Sequence, residues 1–106
     1  SFLIFIYIKM SEENNNYTLP DTSIWPHISK LSIIDDKPIM LDYWTDSLDK
    51  KVVIGVRENG EKLLVKNPEE YTSPIQKIFK VSDSYIICTE NSIYIVSKEI
   101  STKKIS

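Results

Sequence analysis

Few residues of this chain have the type and the setting that catalysis requires. His27, the one histidine, follows Trp25-Pro26, and no motif brings it the orienting acid and nucleophile that a catalytic histidine needs. Cys88, the one cysteine, lies in an apolar run, whereas reactive cysteines favour electropositive and partly exposed sites. We therefore interpret His27 as a structural or surface residue and Cys88 as a core residue, and we predict no enzymatic activity.

Metal and nucleotide sites lack their usual ligands in this sequence. One histidine and one cysteine cannot supply a standard structural zinc site. The acid pairs Asp35-Asp36 and Glu69-Glu70 are better explained by turn formation and by a solvated loop than by metal binding. Gly55 and Gly60 are too few for a glycine-rich phosphate loop. We predict no metal and no cofactor.

The clearest pattern of candidate functional residues is a pair of sheet faces in residues 75–96. Ser82-Asp83 and Glu90-Asn91 suit two-residue turns, which divide this segment into three antiparallel strands. Apart from Lys77, one face is an apolar core made of Ile75, Phe79, Val81, Ile86, Cys88, Ile93 and Ile95. The opposite face is amphipathic and holds Ile78, Lys80, Tyr85, Ile87, Tyr94 and Val96.

The amphipathic face is a candidate interaction surface. Tyrosine supplies a large contact area and a polar hydroxyl at a low cost in conformational entropy. Tyr43-Trp44, at the end of an upstream strand, is a second candidate anchor. We predict a non-enzymatic protein-interaction module that docks to a protein partner or to a second copy through Tyr85, Tyr94, Ile78, Lys80, Tyr43 and Trp44. The alternative is that residues 11–34, anchored by Trp25 and Ile28, cover this face and complete the core.

The charge of the chain does not favour nucleic acid as the main partner. The formal net charge is −2, so no general basic field attracts phosphates. Residues 54–106 hold eight basic and seven acidic side chains. Basic and aromatic side chains nevertheless leave one alternative open, a weak single-stranded nucleic-acid-binding β domain that uses Lys77, Lys80, Tyr85 and Tyr94.

The elements that would position these residues are predicted to be strands. The chain has 17 Ile and no Ala, a bias toward β structure. Asn59-Gly60 predicts a hairpin over residues 51–66, with Val56 opposite Leu63 and Ile54 opposite Val65. Residues 31–34 and 38–43 are predicted strands around a turn, and Pro26 excludes a regular helix before them. We expect a single all-β domain, a small antiparallel meander of five to six strands in a curled sheet or a small barrel.

Three segments are predicted along the chain: an N-terminal arm (1–22), a β domain (23–98) and a Lys-rich C-terminal tail (99–106). The apolar run at residues 2–8 (FLIFIYI) is seven residues long. Because a membrane-spanning helix needs about 20 apolar residues, this run predicts no membrane span.

Four strings of residues resemble a known group of proteins. They are 37–44 (KPIMLDYW), 54–66 (IGVRENGEKLLVK), 70–75 (EYTSPI) and 89–96 (TENSIYIV). Together they resemble short, uncharacterised proteins encoded by large nucleocytoplasmic DNA viruses of algae and protists. The resemblance implies a small viral structural or accessory protein in the cytoplasm, in a viral factory or a virion. It carries over no catalytic residue.

Overall fold

Short helices and strands follow one another along the chain, and the computed structural model describes them for residues 19–105. In order they are α1 (Ile24–Asp35), β1 (Ile39–Met40), α2 (Trp44–Leu48), β2 (Val53–Val56), β3 (Lys62–Asn67), β4 (Glu70–Tyr71), β5 (Ile75–Val81), β6 (Ser84–Thr89), β7 (Ile93–Ser97) and β8 (Ser101–Lys104). The described chain is mostly β, which confirms the coarse sequence prediction.

The strands form two separate four-stranded sheets. Sheet A has the strand order β1-β7-β6-β5, and sheet B has the order β4-β3-β2-β8. Both sheets are mixed, because β1 lies parallel to β7 and β8 lies parallel to β2. The predicted all-β antiparallel meander in one curled sheet or barrel is therefore wrong in its detail. Within residues 19–105 neither sheet closes, and helices belong to the fold. Parallel neighbours are joined by long crossovers, which a local hairpin pattern does not reveal.

Helix α1 corrects the prediction that Pro26 excludes a helix. Pro26 is the third residue of α1, in the first turn, where backbone N–H groups have no intrahelical partner and a missing one costs little. Just before the helix, Asp21 Oδ1 accepts a hydrogen bond from the backbone N–H of Ser23 at 2.8 Å. Helix α1 buries Ile24 and Ile28 against sheet A.

Asp36 ends α1 in a left-handed conformation. Its φ is 52°, and its backbone N–H donates to the carbonyl oxygen of Ser32, a geometry that Asp tolerates better than most residues. Residues 31–34 are thus helical and not the predicted strand. Ile33 and Ile34 are 80% and 65% exposed. Their β-branched side chains favour a strand, but this propensity is not supported by the burial that a core strand would provide.

The three antiparallel strands predicted for residues 75–96 are confirmed as β5, β6 and β7. Their predicted core face packs against α1, and Cys88 on that face is buried as predicted. Phe79, also predicted in this core, is an exception because it is 39% exposed on β5, the last strand in the order of sheet A. Ile75 is a second exception, because the register of β5 shifts between Ile75 and Lys77. This irregularity turns Ile75 to the other side of the sheet, where it packs in a second core.

The predicted hairpin at Asn59-Gly60 is confirmed, but its register differs by one residue. Ile54 pairs with Leu64, one residue before its predicted partner. The N–H of Gly60 donates to the carbonyl of Arg57 at 2.9 Å, and Gly60 has a φ of 90°. This is a three-residue loop closed by a glycine bulge, which replaces the expected two-residue turn. The shift moves Leu63 to the face opposite Ile54.

Sheet A is the middle of three layers, with α1 on one face and sheet B on the other. One core lies on the α1 side and contains Ile24, Ile28, Trp44, Ile86, Cys88, Ile93 and Ile95. The second core lies between the sheets and contains Tyr43, Val52, Ile54, Leu64, Ile87, Val96 and Ile100. Apolar residues on both faces of β6 and β7 are thereby removed from water.

The C-terminal residues form a strand in place of the predicted tail. β8 pairs with β2, and the N–H of Ile105 donates to the carbonyl of Val56 at 3.0 Å. Ile100, just before β8, is buried in the core between the sheets and anchors the strand. The β domain therefore extends past residue 98. Of the predicted arm (1–22), residues 1–18 lie outside the described residues, together with the apolar run at 2–8.

Ser47 links α2 to the end of β7 at a fully buried position. Its hydroxyl donates to the carbonyl of Trp44 at 2.6 Å and accepts a hydrogen bond from the N–H of Ser97 at 2.9 Å. The N–H of Ser97 therefore depends on a side chain 50 residues away.

We expect Ser47→Ala to lower the free energy of unfolding by about 1–3 kcal/mol, because it leaves the buried N–H of Ser97 without its acceptor. Chemical denaturation of the variant beside Ser101→Ala, a substitution at an exposed position in β8, measures the effect. Equal midpoints for both variants would show that this hydrogen bond does not hold α2 in place.

Candidate functional site

The predicted aromatic anchors lie largely inside the fold. Tyr43 and Trp44 are 6% and 5% exposed, which corrects their assignment as surface anchors. Tyr85 and Tyr94 are half-buried and pack against the core between the sheets. The face predicted for docking is therefore covered by sheet B. Helix α1, which belongs to the segment that the alternative assigned to this face, covers the other face, and residues 11–18 of that segment lie outside the described residues.

Tyr43 and Tyr94 form an aromatic contact between the layers. Their ring centroids are 5.2 Å apart in an edge-to-face arrangement. The ammonium of Lys66 lies 4.4 Å from the centroid of the Tyr43 ring, 2.9 Å from the carbonyl of Asp42 and 3.3 Å from the carboxylate of Asp46. These contacts tie β3 to α2 and β7, which is a structural role.

The remaining two predicted residues, Ile78 and Lys80, lie on the free edge of sheet A. Both are on β5, which pairs with β6 on one side and has no strand on its other side among residues 19–105. Every residue of β5 from Gln76 to Lys80 is exposed, including Ile78 and Phe79 at 39% each. An exposed edge strand of seven residues presents unpaired backbone groups to any chain that can pair with it.

The register of sheet A shows which backbone groups face this edge. The N–H of Thr89 donates to the carbonyl of Ser92, so the backbone groups of Thr89 face β7. Every second residue of β6 therefore forms its hydrogen bonds with β7, and the residues between them form theirs with β5. The β5 residues that lie opposite the β7-facing residues of β6 therefore direct their own backbone groups away from β6. By this alternation the N–H and C=O groups of Ile78 and Lys80 face the free edge.

A groove of about 370 Å³ runs beside this edge, between β5 and α1. Its floor is Ile86, which is fully buried, and its apolar walls include Leu31, Ile34 and Phe79. The groove exists because the buried face of α1 lies over β6 and β7, so the helix leaves the β5 side of the sheet uncovered. Backbone pairing and apolar contact are therefore available side by side.

The groove is basic at its rim. Its lining includes His27, Lys30 and Lys80, and none of the acidic residues within 19–105 belongs to it. Lys77 lies on the same face of β5 as Phe79. Burial raises the pKa of Cys88, Asp35 raises it further, and the positive charges of Lys37 and Lys77 lower it. Asp35, Lys37 and Lys77 therefore lie close enough to Cys88 to affect its pKa.

The helical half of the groove has a sequence signal that strand-based reasoning missed. His27, Lys30, Leu31 and Ile34 recur at spacings of three and four residues, which places them on one side of a helix. Once residues 24–35 are assigned as a helix, this stripe stands out beside the buried stripe of Ile24 and Ile28.

Other site types find no support in the described part of the chain. No group of three or more His, Cys, Asp or Glu residues within 19–105 could hold a metal ion. In the same range, no helix has the length and the hydropathy needed to cross a membrane.

Tyr43 is expected to make stability depend on pH at alkaline values. Burial raises the pKa of Tyr43 to about 12, with further contributions from Tyr94, Asp42 and Glu70, against an ordinary value of 10.0. The unfolded chain loses this proton first, so the contribution is complete below pH 10 and is lost as pH rises toward 12. Denaturation of wild type and Tyr43→Phe across this range should show that wild type loses stability relative to the variant as pH rises. A constant difference would contradict the burial argument.

No family model, no curated protein and no solved structure matches the chain. The site is therefore interpreted from its own geometry. The resemblance to viral proteins and the location that it implies stay predictions.

Proposed function

We propose that this protein is a non-enzymatic interaction module that binds an extended, acidic segment of a partner protein by strand addition to β5. The observation that carries the proposal is the coincidence of a free seven-residue edge strand, an apolar groove and a basic rim at one place. In strand addition, backbone hydrogen bonds supply affinity and side-chain pockets supply specificity.

The chemistry of the edge specifies the partner's segment. An added strand would pair with the backbone of Ile78 and Lys80, and its side chains would alternate between the two faces of sheet A. Side chains on the α1 side would contact Ile34 and Phe79 if they are apolar. Acidic residues at the margins of the segment would meet Lys30 and Lys80, because opposite charges favour encounter and fix the register.

Two other partners fit this edge less well. A second copy paired antiparallel through β5 would bring Lys77 and Lys80 of one chain close to the same residues of the other, and this repulsion opposes self-association. Single-stranded nucleic acid would use the same cations, but it also needs exposed aromatic rings for stacking. Tyr85 and Tyr94, which the alternative required, pack between the sheets.

Charge reversal tests the electrostatic part of the proposal. The probe is a fluorescent, capped peptide with alternating Val and Thr in its centre and Glu at both ends, and its control replaces each Glu with Lys. We expect Lys30→Glu/Lys80→Glu to weaken binding of the acidic peptide about tenfold, measured by fluorescence anisotropy, because two favourable exposed pairs become repulsive. Lys62→Glu/Lys104→Glu changes the charge equally on sheet B and should leave affinity unchanged.

Proline at Ile78 tests the backbone part. The N–H of Ile78 faces the free edge, so Ile78→Pro removes an edge donor without breaking the β5–β6 ladder. We expect the variant to keep its circular dichroism spectrum and to lose peptide binding. Full peptide binding by a folded Ile78→Pro variant would contradict binding by strand addition. Binding of oligothymidylate in preference to the acidic peptide would instead favour the nucleic-acid alternative.

A further inference from the structure

A second groove lies on the opposite side of the molecule, on the outer face of sheet B. The one-residue register shift in the β2–β3 hairpin places Leu63 and Val65 on this outer face, away from the core between the sheets. Val65 pairs with Tyr71 of β4, so the Tyr71 ring lies on the same face. None of residues 19–105 forms a further layer over this face.

The groove has a volume of about 600 Å³, within the size range of small-molecule sites. Leu63, only 2% exposed, is its floor. Tyr71 and Ile105, which are 52% and 38% exposed, are among its lining residues and give it apolar walls. These side chains line one groove together, and a contiguous apolar patch of this kind can mark a ligand-binding site.

Gly55 leaves the space that one of these walls, Ile105, occupies. A Cβ atom at position 55 would lie 2.8 Å from Cδ1 of Ile105 and 3.0 Å from Cγ2 of Val65. Because glycine has no side chain, Ile105 can lie directly across β2 and reach the groove. The glycine in this strand is therefore explained by the close approach of a groove residue.

A single guanidinium marks one end of the groove. Arg57 belongs to the lining, and its Nη1 atom lies 3.8 Å from a carboxylate oxygen of Glu61. Both side chains are more than two-fifths exposed, so this pair is weak and can be exchanged for a ligand. A guanidinium fork matches a carboxylate in a two-point hydrogen bond.

From this geometry we infer that the outer groove of sheet B binds an aliphatic monocarboxylate, with the hydrocarbon chain over Leu63 and the carboxylate on Arg57. The apolar lining accounts for the chain, and the guanidinium of Arg57 accounts for the head group and its charge. This inference does not depend on the β5 edge, which lies on sheet A.

The test uses dodecanoate below its micelle concentration, with dodecanol and dodecyltrimethylammonium as ligands of equal chain and different head group. Isotope-labelled protein is titrated and followed by NMR. Saturable shifts of the Val65 and Ile105 methyl resonances and of Tyr71 are expected with dodecanoate, and weaker ones with the other two ligands.

Arg57→Gln should weaken dodecanoate binding about tenfold, since it removes the charge and keeps the side-chain length. Glu61→Gln should strengthen it about threefold, because the competing carboxylate is lost. Lys62→Gln is the matched control: it removes one exposed positive charge of the same hairpin and should change nothing. Unchanged far-ultraviolet spectra show that each variant is folded.

Three results would overturn the inference. They are absence of shifts at the groove residues, equal binding of dodecanol and dodecanoate, and equal affinities of Arg57→Gln and wild type. Loss of acidic-peptide binding by the β5 variants bears on the other site alone, so the two proposals succeed or fail separately.

Discussion

Burial of strand β6 on both of its faces is the constraint on which the fold depends. Ile86 and Cys88 point toward α1, Ile87 points toward sheet B, and none of the three is more than 1% exposed. Because successive side chains of a strand alternate between faces, three apolar residues in a row require a covering layer on each side. Helix α1 supplies one layer, and the β2–β3 hairpin together with β8 supplies the other.

The same arrangement determines where the molecule is left open. A helix of 12 residues covers only part of a four-stranded sheet, and α1 packs over β6 and β7. β5 is consequently left with a free edge and a groove at its side. An open edge is a liability that proteins commonly limit with lysines. In our proposal, Lys77 and Lys80 discourage pairing between like copies and select an acidic partner.

An amphipathic sheet face in this chain was compatible with more than one covering layer. The tyrosines of β6 and β7 form a mixed face that suits a partner surface, and the structure covers that face with the protein's own second sheet. Tyr94 contacts Tyr43 edge-to-face there. Tyrosine suits the margin of a core because its ring is apolar and its hydroxyl is polar. Such a face looks the same in sequence whether its partner is another protein or another part of the chain.

Local sequence determined the elements that depend on local chemistry. The turns at Ser82-Asp83 and Glu90-Asn91, the hairpin near Asn59-Gly60 and the inward face of Cys88 could all be predicted, because turn residues and two-residue alternation act over short distances. The prediction of Ile78 and Lys80 as site residues also came from this alternation.

Tertiary structure alone decided the helix, the division into two sheets and the parallel strands. Ile24 and Ile28 stabilise α1 only when sheet A is present to bury them, and this burial outweighs the strand propensity of Ile33 and Ile34. β8 gains its hydrogen bonds from β2, which lies far away in sequence. Both grooves combine residues from distant segments, so their existence depends on which layers pack together and which faces those layers leave uncovered.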